Sequence, residues 1–107
     1  KQQSRQRMGA TLNIATEKGA YTISDRATYL AFLKVLNLQI LVAGDSSLLN
    51  IYHVIQINPD KFPRVNAAGG KAFADFIVSP EAQGLVEKFG IEKFGQPLFF
   101  PDAGKPE

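Results

Sequence analysis

The order of sequence patterns along the chain predicts a small α/β fold. Stretches in which apolar residues recur at helical spacing alternate with short runs that are almost continuously apolar and partly β-branched. This alternation is typical of α/β domains, in which helices pack on a sheet. With 107 residues, 45% of them apolar, the chain suits one compact domain or one piece of a larger unit.

Two helices are predicted in the first third of the chain. Residues 9–18 are good helix formers, and Gly19 suits the position that follows a helix C-terminus. Asp25 can cap a second helix, in which Leu30 and Leu33 lie near one face.

Two further helices are predicted in the last half. Asn66 can cap the first of them. The second carries a more complete set of signals, because Ser79 can cap it, Pro80 suits its first position and Glu81 places an acid in its first turn. Gly90 should end it.

Three runs predict strands, at residues 20–24, 38–43 and 51–57. The last run is nearly continuous in apolar character, which is typical of a strand buried on both faces. A turn is predicted at 46–50. Two prolines predict that the tail, 96–102, is extended rather than helical.

Composition argues against several classes of protein. The net charge is +2, and without residues 1–7 the basic count falls from 12 to 9 against 10 acids, so we expect no nucleic-acid partner. With no cysteine and one histidine, neither thiolate nor imidazole metal sites can be assembled, and no metal or cofactor is predicted. No apolar stretch approaches the roughly 20 residues that span a bilayer.

The first residues are basic and rich in glutamine, and they contain no apolar run of the kind found in signal peptides. The chain begins with Lys1. We therefore expect an excerpt of a longer protein or a processed product.

Catalysis is difficult to build from this sequence. The one candidate base, His53, lies inside a predicted strand, where a structural role is more common. Ser24, Ser46 and Ser47 are available as nucleophiles, but no Gly-x-Ser-x-Gly pattern accompanies them. We predict that the protein is not an enzyme.

Binding of an anion is easier to build. Met8 and Gly9 place free N–H groups at a helix start, and glycine allows close backbone approach. Thr22 and Ser24 share one face of the following strand, and Arg26 can add a charge-assisted hydrogen bond.

Each of these residues also has an ordinary structural alternative. The glycine can simply start a helix, the two hydroxyls can belong to an edge strand, and Arg26 can pair with Asp25 or another carboxylate. Their proximity in the sequence favours the shared site.

Several motifs resemble one family of binding proteins. They are Met-Gly-Ala-Thr-Leu (8–12), Ala-Tyr-Thr-Ile-Ser-Asp-Arg-Ala-Thr-Tyr-Leu-Ala (20–31), Ile-Leu-Val-Ala-Gly-Asp (40–45), Leu-Leu-Asn-Ile-Tyr (48–52), Val-Ile-Gln-Ile-Asn-Pro (54–59), Ala-Phe-Ala-Asp-Phe-Ile-Val-Ser-Pro-Glu-Ala-Gln (72–83) and Gly-Gln-Pro-Leu-Phe-Phe-Pro-Asp-Ala (95–103). Together they resemble the tungstate-binding proteins of ABC transporters, which have the type II periplasmic binding protein fold.

This resemblance implies the C-terminal part of a two-lobed protein that closes over a tetrahedral oxyanion. Residues 8–45 would belong to the second lobe, 49–57 to a crossover and 58–107 to the return into the first lobe. The N-terminal lobe segments, which supply much of the anion site, would be missing partners. The remaining portions of the site would be Met8, Gly9 and the 22–26 strand end, which contains Thr22, Ser24 and Arg26.

The resemblance also implies a function and a location. The protein would bind tungstate, or the related molybdate, sulfate or phosphate, outside the cytoplasm, and deliver it to an ABC permease. It would be periplasmic or extracellular, and a segment not present here could anchor it to a membrane. The alternative is the ligand-sensing domain of a transcriptional regulator with the same fold. With its partner lobe absent, the fragment could self-associate.

Overall fold

The computed structural model describes residues 1–106 and contains five α-helices within that range. In chain order they are α1 (Met8–Lys18), α2 (Arg26–Phe32), α3 (Ala67–Ile77), α4 (Pro80–Lys88) and α5 (Ile91–Phe94). A 3₁₀-helical turn, Ser46–Leu48, lies between α2 and α3. None of the described helices has both the length and the apolar character that crossing a membrane requires.

Local capping explains why the helices begin and end where the sequence predicts. Gly19 ends α1 in the left-handed conformation, at φ 57°. The Asn66 side chain accepts the Gly69 N–H at 2.9 Å, and Ser79 accepts the Ala82 N–H at 3.2 Å. A Cβ atom on Gly69 would lie 2.8 Å from the Asn66 side chain, so this glycine leaves room for the cap. The four helix predictions are confirmed; α5 is additional.

The helices pack as two local pairs, α1 with α2 and α3 with α4. The core that they form is small. Its buried apolar residues are Leu12, Ala15, Leu30, Ala74, Ala82 and Leu98. Leu12 is only 1% exposed and is the largest fully buried side chain in the described chain. The contact between α1 and α2 therefore holds the best-packed part of the molecule.

The three runs predicted as strands differ from the prediction. Residues 20–24, 38–43 and 51–57 carry neither helix nor strand, and no strand occurs within residues 1–106. A strand is stabilised by ladder hydrogen bonds and by burial against neighbours, and within residues 1–106 these runs form no ladder. Their apolar side chains are exposed instead, as at Leu41 (70%) and Ile55 (82%). The α/β assignment is not confirmed by the described residues.

The outline of the molecule is elongated, with principal extents of 50 × 31 × 25 Å and a radius of gyration of 17.5 Å. A compact domain of this length would have a radius of gyration of about 13 Å. The described chain is therefore more extended than a compact domain. The lobe boundaries at 8–45, 49–57 and 58–107 stay predictions, and residue 107 lies outside the described residues.

The 3₁₀ turn is held by one carboxylate. Asp45 Oδ1 accepts the Ser47 hydroxyl at 2.6 Å and the Ser47 N–H at 2.8 Å. The side-chain bond, followed by the backbone bond, lowers the pKa of Asp45 below its ordinary value. The stability that this bond contributes is present above the unfolded-state pKa of about 3.9 and is lost as pH falls through the lowered folded-state pKa.

Ser47→Ala is therefore expected to raise the pKa of Asp45 towards its ordinary value, because the largest cause of the lowering is removed. A carboxyl-detected NMR titration of both proteins measures this shift. An identical Asp45 midpoint in the two proteins would show that the hydroxyl does not stabilise the carboxylate.

Candidate functional site

The start of α2 is organised by Asp25. Its Oδ1 accepts the Thr28 N–H at 2.7 Å, and its Oδ2 accepts the Thr28 hydroxyl at 3.0 Å. Both carboxylate oxygens therefore serve the helix cap. The alternative in which Arg26 pairs with Asp25 is not observed in the described residues, because the guanidinium bonds to the tail.

Arg26 reaches across the molecule to the tail instead. Its Nε donates to the Pro97 carbonyl at 3.0 Å, and its Nη2 donates to Gln96 Oε1 at 2.5 Å. The guanidinium carbon also lies 5.5 Å from the centre of the Phe100 ring. These contacts join the first residue of α2 to a segment about 70 positions further along the chain. Arg26 is half-buried as a result.

The contacts of Arg26 leave its charge unpaired by any acid in the described chain. Both of its hydrogen-bond partners are neutral oxygens, and the described ion pair lies elsewhere, between Lys71 and Asp75. A guanidinium carries five N–H donors, of which the two bonds use two. Arg26 is therefore a fixed cation with donors to spare.

Thr22 and Ser24 are placed close to Arg26 in the sequence but are not joined to it by a hydrogen bond in residues 1–106. The Ser24 hydroxyl donates to the Asp25 carbonyl at 2.8 Å. The Thr22 hydroxyl makes only a long contact, 3.4 Å, to the Ile23 carbonyl, and Thr22 is exposed. The predicted shared face of these two hydroxyls depends on a strand that the described residues do not form.

Met8 and Gly9 form the first turn of α1. The preceding residue, Arg7, gives this helix no side-chain cap, so the N–H groups of the first turn lack that partner. A Cβ atom on Gly9 would lie 3.1 Å from the Phe32 ring. The absence of a side chain at Gly9 therefore allows α2 to pack closely against α1.

An open cleft runs beside most of these residues. Its lining includes Met8, Thr22, Ser24 and Arg26, whereas Gly9 is not part of it. The volume is about 2300 Å³, well above the 300–1,000 Å³ that is usual for a small-molecule site. The cleft is therefore open, and the described chain does not enclose a cavity of small-molecule size there.

The tail contacts of Arg26 are the feature of the candidate site that sequence reasoning missed. Gln96 and Pro97 lie in the Gly-Gln-Pro-Leu-Phe motif, which stands out in the sequence together with the motif that contains Arg26. The prominence of both motifs was the available signal. Nothing in the spacing of the two motifs indicates that they meet.

A fixed arginine without an acidic partner, beside an open cleft, is typical of a protein that binds an anion. The chain belongs to the family of PBP superfamily domains, whose profile matches residues 1–81. This membership agrees with the predicted binding-protein class.

Individual proteins show the same likeness. The chain is 50% identical over 98 residues to the tungstate-binding protein TupA of Peptoclostridium acidaminophilum, covering 92% of this chain and 34% of that protein. It is 43% identical over 101 residues to a putative ABC transporter anion-binding protein of Haloferax volcanii, covering 90% and 29%. It is 35% identical over 106 residues to the tungstate-binding protein TupA of Campylobacter jejuni, covering 95% and 39%.

The chain thus spans about a third of the length of the curated relatives that it matches. No solved structure matches it.

Proposed function

We propose that this chain is part of the extracytoplasmic solute-binding component of an ABC transporter, which captures a tetrahedral oxyanion and delivers it to the permease. The observation that carries the proposal is the Arg26 guanidinium, which neutral oxygens hold beside an open cleft. Spare N–H donors on a fixed cation favour a ligand with negative charge and several acceptor oxygens. The names of the relatives describe binding proteins, which supports a role without catalysis.

Tungstate is the anion that we propose. Two of the relatives are named tungstate-binding proteins, and the third is named an anion-binding protein. Molybdate carries the same charge at nearly the same size, so the choice between the two rests on the geometry of the complete pocket. Sulfate and phosphate offer the same oxygen acceptors and belong in any test.

In the proposed site, Met8 and Gly9 contribute backbone N–H groups, Thr22 and Ser24 contribute hydroxyls, and Arg26 contributes the charge. The uncapped start of α1 supports the first part, because its N–H groups favour an anion. To donate to the anion, the Ser24 hydroxyl would turn away from the Asp25 carbonyl that it now contacts.

We propose for the complete protein a two-lobed α/β fold of type II, with 8–45 in the second lobe, 49–57 as the crossover and 58–107 returning to the first lobe. The exposed apolar runs at 38–43 and 51–57 support this proposal, because they have the composition of buried strands. They would pair with N-terminal lobe segments of the complete protein. The protein would be periplasmic or extracellular, with any membrane anchor in a segment outside these residues.

Equilibrium dialysis of the complete protein tests the proposed ligand. Tungstate, molybdate, sulfate and phosphate are offered separately, and bound metal, sulfur or phosphorus is measured by mass spectrometry. We expect one tungstate per protein and weaker retention of sulfate and phosphate. Retention of none of these anions would contradict the proposal.

The isolated 107-residue chain is expected to bind tungstate weakly or not at all, because the enclosing donors of the other segments are absent. Its exposed apolar runs should favour self-association, which light scattering after size-exclusion chromatography detects. A submicromolar dissociation constant for the isolated chain would contradict the two-lobed site.

A further inference from the structure

The two hydrogen bonds of Arg26 lie on one edge of its guanidinium. Nε and Nη2 form the side edge of this planar group, and they donate to the Pro97 carbonyl and to Gln96 Oε1. The end edge, formed by Nη1 and the remaining N–H of Nη2, has no described partner in residues 1–106. Two parallel N–H groups on one edge match two oxygens of an oxyanion.

We propose that Gln96 is a positioning residue, which holds the side edge of Arg26 so that its end edge is presented to the anion. This inference rests on the proposed function. Without the Gln96 bond, the side chain would lose the fork contact at Nη2 and keep a single bond at Nε. Its long stem could then rotate, and ordering it again on binding would reduce affinity.

The segment that carries Gln96 is firmly attached to the helices. Leu98 is buried, at 7% exposure, and packs directly against Gly90. A Cβ atom on Gly90 would lie 2.8 Å from Leu98, and the φ of Gly90 is +81°, so the site favours glycine on both grounds. Burial of Leu98, two residues after Gln96, fixes the backbone from which the Gln96 carboxamide contacts Arg26.

The neutrality of Gln96 is part of the proposal. A carboxylate in its place would keep the acceptor oxygen but would place a negative charge at the same position, 2.5 Å from Nη2. That charge would pair with the guanidinium and repel the oxyanion. A glutamine provides the geometry of the contact and leaves the positive charge for the ligand.

The test uses isothermal titration of tungstate into the complete protein. Gln96→Ala is expected to raise the dissociation constant about tenfold, and Gln96→Glu is expected to raise it further. Gln83→Ala is the matched control, because Gln83 bonds to the same tail, at the N–H groups of Asp102 and Ala103, without touching Arg26. It should change the dissociation constant less than twofold. Thermal unfolding of each variant establishes that it is folded.

A double-mutant cycle separates positioning from general support of the fold. Lysine at position 26 keeps a positive charge but lacks the planar fork. In the Arg26→Lys background, Gln96→Ala should therefore weaken binding less than twofold, because no guanidinium remains to be oriented. Equal losses in both backgrounds, or an equal loss in Gln83→Ala, would overturn the positioning role.

The outcomes also distinguish this inference from the proposed function. If the wild-type protein binds no oxyanion, the proposed function fails. If it binds tungstate tightly and Arg26→Lys weakens binding while Gln96→Ala does not, the proposed function stands and the inference about Gln96 fails.

Discussion

Replacing Arg26 with alanine in the complete protein is expected to weaken tungstate binding about 100-fold, or about 2.7 kcal/mol. The substitution removes the fixed cation that the described residues contribute to the proposed site, together with its spare donors. It also leaves the Gln96 carboxamide and the Pro97 carbonyl without their described donor, which should cost about 1–2 kcal/mol of folding stability. Calorimetric titration measures the first effect, and urea unfolding measures the second.

Arg64→Ala is the matched control, because Arg64 is exposed and does not line the cleft. Its tungstate affinity should equal that of the wild-type protein. Equal affinity of Arg26→Ala and Arg64→Ala would contradict the assignment of Arg26 to the anion, whatever happens to stability.

Leu12→Ala is expected to have the largest effect on stability, about 2–5 kcal/mol. Leu12 is 1% exposed and lies in α1, the helix that packs against α2, and alanine would leave a cavity there. Because the buried core of the described chain has few members, little other burial remains to offset the loss. Urea unfolding followed by circular dichroism measures the change.

The control for Leu12 is a helical leucine that the structure leaves in solvent. Leu85 lies in α4 and is 61% exposed, so Leu85→Ala should cost under 1 kcal/mol in this chain. Similar costs for Leu12→Ala and Leu85→Ala would show that the α1 and α2 contact is not the principal core.

The helices could be predicted from the sequence because their signals are local. Asp25, Asn66 and Ser79 each accept an N–H three residues further on, and Gly19 ends α1 with a positive φ. A capping side chain and the N–H group that it accepts lie within one helical turn, so both partners can be identified from one short stretch of sequence.

The strands could not be predicted in the same way, because a strand depends on a partner that lies elsewhere. Residues 38–43 and 51–57 have suitable β-branched and apolar composition, yet they carry no strand in the described residues. The composition of a run indicates how well its side chains would pack in a sheet. Whether the run pairs with another strand depends on residues far away in the sequence. Eight exposed large apolar side chains lie in the same two runs.

The candidate site shows the same contrast between local contacts, which the sequence predicts, and distant contacts, which it does not. The sequence predicts the start of α1 and the residues around Asp25 and Arg26, and it leaves open whether the arginine pairs with a carboxylate or faces an anion. In the structure Asp25 bonds to Thr28, and Arg26 bonds to the tail. The bonds to Gln96 and Pro97 span about 70 residues, and only the three-dimensional arrangement reveals them.

Titration calorimetry of tungstate into the complete wild-type protein tests the central claim most directly. The proposed receptor role predicts a saturable heat with one anion per protein, and competition by molybdate. An absence of binding heat with tungstate, molybdate and sulfate at tens of micromolar would contradict it.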